Sequence, residues 1–121
     1  MPKAIDSCRG TACSHEIIVV DNASSDDSAR AARAWANVRV LDAGGNLGFS
    51  KASNLGIRAS QGRALLLLNS DTIVPAGAID RLVQVLAAHP EATVIGPRLV
   101  DADGRPELSF DSMISPLVEW R

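Results

Sequence analysis

The chain has no tyrosine and only two tryptophans, two phenylalanines, two cysteines and two histidines among 121 residues. So few sulfur and imidazole groups exclude a disulfide-stapled scaffold and leave little material for a zinc centre. Cys8, Cys13 and His15 are neighbours in sequence, but no fourth ligand lies near and their spacing fits no zinc pattern, so free thiols are expected. His89, before Pro90 at a predicted helix end, is read as a partner of the helix dipole. Neither charge sign dominates: 12 basic against 14 acidic residues give a net charge of −2. That excludes a basic stripe for nucleic acid and a polybasic membrane patch. No apolar run approaches the roughly 20 residues of a membrane span, and Met1 to Cys13 has no signal-peptide core. The expectation is a cytoplasmic chain, membrane-associated at most, with one domain that is small for a complete two-substrate enzyme.

What is present centres on Ala64-Leu65-Leu66-Leu67-Leu68-Asn69-Ser70-Asp71-Thr72, an apolar run that ends in polar residues and a carboxylate. The run does not alternate, which predicts a strand covered on both faces, as in a parallel sheet. Ligands of open α/β sheets bind beyond the carboxyl ends of strands, so Asn69, Ser70 and Asp71 become candidates, with Asp71 as the functional centre.

Taken in order, residues 3 to 10 predict a short helix and Glu16 to Val20 a β-branched strand, closed by the turn-forming Asp21-Asn22-Ala23-Ser24-Ser25. A helix is expected from Asp26 to Trp35, with Ser25 as its N-cap. Val38 to Leu41 predicts a second strand, Ala43 to Gly48 a glycine-rich loop, and Phe49 to Ser60 a helix that tolerates Gly56. The predicted central strand, 64 to 69, follows. A third amphipathic helix is expected over Ala76 to Ala88, with Ile79, Leu82, Val83 and Leu86 on one face. Thr93 to Ile95 predicts a fourth strand, and Arg98 to Phe110 a hairpin around Asp103-Gly104. The tail carries Leu117, Val118 and Trp120. Alternating strands and helices predict an α/β domain, a three-layer sandwich with a mostly parallel sheet.

Asp21 and Asp71 each close an apolar strand in this reading and so project from one sheet edge. Hard cations prefer oxygen ligands and keep bound phosphates in their shell, so Asp71 plus a diphosphate can complete a site for Mn²⁺ or Mg²⁺. Asp21, with Asn22 and Ser24, can hydrogen-bond a nucleobase or ribose. The plainer alternative is that both carboxylates only cap turns. Gly44 to Phe49 lacks the Gly-x-Gly-x-x-Gly spacing of a dinucleotide loop. Asn46, Gly48 and Asn54, with Gly56, suit a helix start that presents N–H groups to an anion; Gly56 inside the helix is best explained by close packing on the sheet. A two-component receiver domain has a similar length and an Asp followed four residues later by Pro, as Asp71 and Pro75 are. It also needs a late-strand Lys, and this chain has none after Lys51.

Val19-Val20-Asp21-Asn22-Ala23-Ser24-Ser25-Asp26-Asp27-Ser28, then Asn46-Leu47-Gly48-Phe49 with Asn54-Leu55-Gly56, then Leu68-Asn69-Ser70-Asp71-Thr72, together resemble the family 2 glycosyltransferases of GT-A fold, and in style their rhamnosyltransferase-like branch. The resemblance implies inverting transfer of a sugar from a nucleotide diphosphate sugar donor to a hydroxyl of a glycan or lipid-linked acceptor, in cell-surface polysaccharide or glycan synthesis, assisted by Mn²⁺ or Mg²⁺. It implies that Asp21 contacts the nucleoside and that Asp71 is the metal-binding last Asp of the Asp-x-Asp motif, with Asn69 in the place of the first. Asn22, Ser24, Asn46, Gly48, Asn54 and Ser70 join the nucleotide-sugar-binding set. Where relatives carry an Arg before Asn54 this chain has Ser53, and Lys51 is the substitute at hand.

Relatives begin with an apolar strand ahead of the helix matched by Ala4 to Arg9, and place their catalytic base downstream. The expectation is therefore a single partial GT-A domain over residues 1–121: a nucleotide-sugar-binding core at 4–96, then the hairpin and the start of the acceptor region at 97–121, with no catalytic residue assigned. The alternative is a non-catalytic nucleotide-binding or dimerisation module, since an uncovered sheet edge and an apolar tail favour a homodimer.

Overall fold

The computed structural model describes residues 2–101 and 103–107. The β-branched run of β1 (Ile17–Asp21) pairs in parallel with β2 (Val38–Asp42), from Ile17 opposite Val38 to Asp21 opposite Asp42. Parallel neighbours need a crossover, and the chain between them supplies α2 (Ser28–Arg33), which packs on both strands. It is shorter than Asp26 to Trp35, because the Asp26 carboxylate accepts the Ser28 N–H at 3.0 Å before the helix begins. At the other end Ala34 and Trp35 close tighter bonds to the third residue back. The cap residue is Asp27, not Ser25, and its side chain makes no capping bond.

The remaining helices are α1 (Pro2–Cys8), α3 (Phe49–Ala59) and α4 (Ala78–Ala88), all near their predicted positions. The core is made of Ala4, Ile5 and Cys8 of α1, Ala29 and Ala32 of α2, and Ala52 of α3. Mostly small side chains let the helices approach closely. At Gly56 a Cβ would stand 3.2 Å from Val20 Cγ2, so the glycine inside α3 is there for contact with β1, as its sequence position implied. The Arg9 guanidinium lies 5.4 Å from the Trp35 ring centre and ties the end of α1 to the chain after α2. Cys8 and Cys13 are free thiols, and the His15 ring bonds the Cys13 carbonyl oxygen at 2.9 Å. His89 caps α4, where its ring nitrogen meets Glu91 Oε1 at 2.9 Å.

Two predicted strands are not formed. Residues 61–69 carry no regular secondary structure, and Leu65 to Leu68 remain exposed, Leu67 at 57%. Residues 93–95 are likewise irregular, with Val94 at 84% exposure. A strand exists only through its neighbours' backbone groups. Among the described residues, β1 and β2 are the whole parallel sheet, and neither segment pairs with it. The start of the segment is tethered to the chain before β1 by the Gln61 N–H donating to Glu16 Oε1 at 2.6 Å. The parallel sheet is thus smaller than the expected multi-stranded layer.

The predicted hairpin forms as β3 (Leu99–Val100) antiparallel to β4 (Pro106–Glu107), with the Asp101 carboxylate accepting the Asp103 and Arg105 N–H groups. Residues 108–110 of that hairpin and the apolar tail lie outside the described residues. No helix of the described residues is long and apolar enough to cross a membrane.

α4 has no fully buried residue, so side-chain tethers matter more for its position than its half-buried Ile79, Leu82 and Leu86 alone would suggest. The Asp80 carboxylate accepts the Ala12 N–H at 3.0 and 3.1 Å and the Cys13 N–H at 3.0 Å. Ser7 Oγ accepts the Val74 N–H at 3.0 Å. The N–H groups of Ala12 and then Cys13 hold the Asp80 carboxyl below the usual carboxylate range. A folded pKa below the unfolded one stabilises above the unfolded value and is lost as pH falls through the folded one. Asp80→Asn should therefore lower the melting temperature at neutral pH, and the gap from the parent should close below about pH 4. Melting curves of both chains across that range check this.

Candidate functional site

The parallel register sets Asp21 and Asp42 side by side, so the loops that follow them leave the same edge. The Ala43 N–H donates to the Asp21 carbonyl oxygen at 3.0 Å and extends the pairing by one residue. After β1 the chain turns at once: the Ser24 N–H donates to Asp21 Oδ1 at 2.9 Å, across Ala23 at φ +67°. The Ser24 N–H and then the Ser24 hydroxyl lower the Asp21 pKa, so the group is ionised at neutral pH. Asp21 thus does cap its turn, as the plainer reading held, and it presents a fixed anionic acceptor at the strand end.

After β2, the Gly44 N–H donates to Asp42 Oδ1 at 2.8 Å, and Gly48 enters α3 at φ +77°, ψ 164°, a conformation essentially restricted to glycine. The two loops meet through Asn22, whose Oδ1 accepts the Leu47 N–H at 2.8 Å and whose Nδ2 donates to Asn46 Oδ1 at 3.2 Å. Asp21, Asn22, Ser24, Asn46 and Gly48 therefore form one edge cluster, which joins the strand-end residues to those expected at the start of α3. Asn54 stands exposed on the second turn of α3.

Asp71 departs from expectation. It closes no strand; the Thr72 N–H donates to the Asn69 carbonyl oxygen at 3.2 Å in a turn that contains it. Ser70 and Asp71 line an open cleft of about 370 Å³ with Pro2, Lys3, Ala4 and Ile73, and none of the β1 and β2 edge residues lines it. No group of three or more His, Cys, Asp or Glu side chains converges to hold a metal among the described residues. Lys3 in the cleft that Asp71 lines, the bidentate Asp80 tether and the left-handed Ala23 were not foreseen; only Ala23, in a dense turn cluster, left a signal. Receiver chemistry would need Asp71 at a strand end, and it is not there.

The glycosyl transferase family 2 model matches residues 1–119. The chain belongs to that family. Among similar proteins, the N-acetylglucosaminyl-diphospho-decaprenol L-rhamnosyltransferase of Mycobacterium tuberculosis is 32% identical, over 73% of this chain and 33% of the relative. The low-salt glycan biosynthesis hexosyltransferase Agl10 of Haloferax volcanii is 32% identical, over 75% and 30%. Glycosyltransferase GlyG of Streptococcus pneumoniae is 34% identical, over 67% and 28%. The matches therefore span about a third of these relatives' length. No solved structure matches. Family 2 membership implies a GT-A type α/β fold, and the small parallel sheet with its helices agrees.

Ala23 is the strained point of the edge cluster. A non-glycine residue in the left-handed region costs about 1–2 kcal/mol, partly offset in a glycine variant by the looser unfolded chain. Ala23→Gly should therefore stabilise the protein by about 0.5–1 kcal/mol, and urea titration of the two chains measures it.

Proposed function

We propose that this chain is the donor-binding part of an inverting glycosyltransferase that moves a sugar from a nucleotide diphosphate sugar to a hydroxyl of a glycan or lipid-linked acceptor. The observation that carries the reading is the meeting of the Asp21–Ser24 turn with the Asn46–Gly48 loop at the carboxyl edge of β1 and β2. Such edges are where α/β sheets bind ligands. In this reading the held Asp21 carboxylate accepts hydrogen bonds from the nucleoside, and Ser24 fixes its direction. In this reading the parallel pair belongs to a three-layer sandwich and the chain serves cell-surface glycan synthesis; the names of two relatives, a decaprenol-linked rhamnosyltransferase and a glycan biosynthesis hexosyltransferase, support the glycan part.

The cleft beside α1 is assigned to the diphosphate. Ser70, Lys3 and Asp71 line it. Lys3 supplies positive charge, and Asp71 is one hard oxygen ligand. One carboxylate does not make a resident metal centre, but it suits Mn²⁺ or Mg²⁺ that arrives with a diphosphate and keeps its oxygens. When bound, the cation stabilises charge on the departing diphosphate.

Calorimetric titration with UDP, dTDP and GDP, with and without Mn²⁺, tests the assignment. One nucleotide should bind in a Mn²⁺-dependent manner; Asp71→Ala should abolish the metal dependence, and Asp21→Ala should weaken binding at least about tenfold, as expected for a charged hydrogen-bond acceptor. Absence of binding for all three nucleotides would overturn it.

One observation favours a second reading, a non-catalytic module in which copies associate. Four consecutive leucines, Leu65 to Leu68, are each at least 38% exposed. Monomers seldom leave such a patch open. Sedimentation analysis decides: a dimer that Leu67→Glu dissociates supports association through this run, and a monomer at all concentrations rejects it.

A further inference from the structure

Asn22 and Asn46 bridge two loops that are 24 residues apart in the chain. Their amide directions are fixed by the backbone. The Leu47 N–H needs an acceptor, so the Asn22 atom it meets at 2.8 Å is Oδ1, and Nδ2 must point the other way. The Gly48 N–H, at 3.0 Å, similarly requires Oδ1 of Asn46, and that same oxygen receives Asn22 Nδ2 at 3.2 Å. Asn22 therefore has to accept on one side and donate on the other, whereas Asn46 only accepts, twice. Two of the three bonds fall at Leu47 and Gly48, where the chain turns into α3, and the third joins the two asparagine side chains to each other.

We infer that Asn22 and Asn46 are positioning residues that clamp the β2–α3 loop onto the end of β1, rather than groups that touch the donor. The clamp itself follows from the bonds; what it positions, the nucleotide edge beside Asp21, rests on the proposed function. Gly48, with no side chain, has only the backbone and this clamp to set its angle. The Leu47 and Gly48 N–H groups are taken by the two asparagines, so neither is offered to an anion.

The unequal roles give an unequal test. Asn46→Asp keeps an oxygen acceptor for both donors. Asn22→Asp loses the Nδ2 donor and sets an anionic oxygen against Asn46 Oδ1. Amide hydrogen exchange of Leu47 and Gly48, read by NMR on the full chain, reports the clamp without any ligand. Exchange should stay as in the parent in Asn46→Asp and rise at least about tenfold in Asn22→Asp and Asn22→Ala, as for opened local structure. Titration with UDP, dTDP and GDP plus Mn²⁺ in about 1 M NaCl, where the screening length is about 3 Å, removes the long-range effect of the added charge. There Asn46→Asp should bind within about threefold of the parent, and both Asn22 variants should lose at least about tenfold, one power of ten being about 1.4 kcal/mol.

Equal exchange in Asn22→Asp and Asn46→Asp would overturn the clamp. Unchanged exchange in Asn46→Asp together with a tenfold loss of affinity would overturn it in favour of direct donor contact. A parent chain that binds no nucleotide but shows the unequal exchange would sink the donor reading and uphold the clamp.

Discussion

The parallel register of β1 and β2 is the constraint on which the rest depends. Five residue pairs, ending with Asp21 opposite Asp42, bring two chain reversals to one edge at one level. Had the pairing slipped by one residue, every side chain of one strand would have changed face, and Val20 would no longer meet Gly56. The register also sets the reach between Asn22 and the loop after β2. Without it the asparagine side chains, which span only a few bonds, would not meet.

Around that pair the fold is held by small apolar residues and by polar tethers from a few side chains. Ala29, Ala32 and Ala52 are buried because they allow close approach, yet each removes little apolar surface from water. A core of this kind leans on directional bonds: Asp80 to the chain after α1, Ser7 to Val74, Glu16 to Gln61. The larger apolar residues are elsewhere. A Leu or Val side chain gains roughly 1.5–3 kcal/mol on full burial, and Leu65 to Leu68 and Val94 obtain only part of it. The strongest apolar signal in the sequence is therefore where the described structure is least consolidated.

The departure of Asp71 from a strand end has the same origin. A strand over 64–69 beside β1 would have carried Asp71 to the common edge. With the segment irregular, Asp71 closes no strand and lines the cleft together with Pro2, Lys3 and Ala4 of α1.

The sequence by itself determined the local elements: β-branched runs at Ile17–Asp21 and Val38–Asp42, helices wherever the apolar period was near 3.6, a hairpin at Asp103-Gly104, and a Gly56 that packs on a strand. It also determined the family, because three polar motifs in a fixed order are a property of the chain alone. Tertiary structure decided the rest. Apolar periodicity records what a segment would bury, but not whether a neighbour is present to pair with it, so Ala64–Asn69 and Thr93–Ile95 read as strands and are not. The long-range partners of Asn22, Asn46 and Asp80 were equally invisible, since a side-chain hydrogen bond between residues 24 or more positions apart depends on register and packing, and on no pattern within either segment.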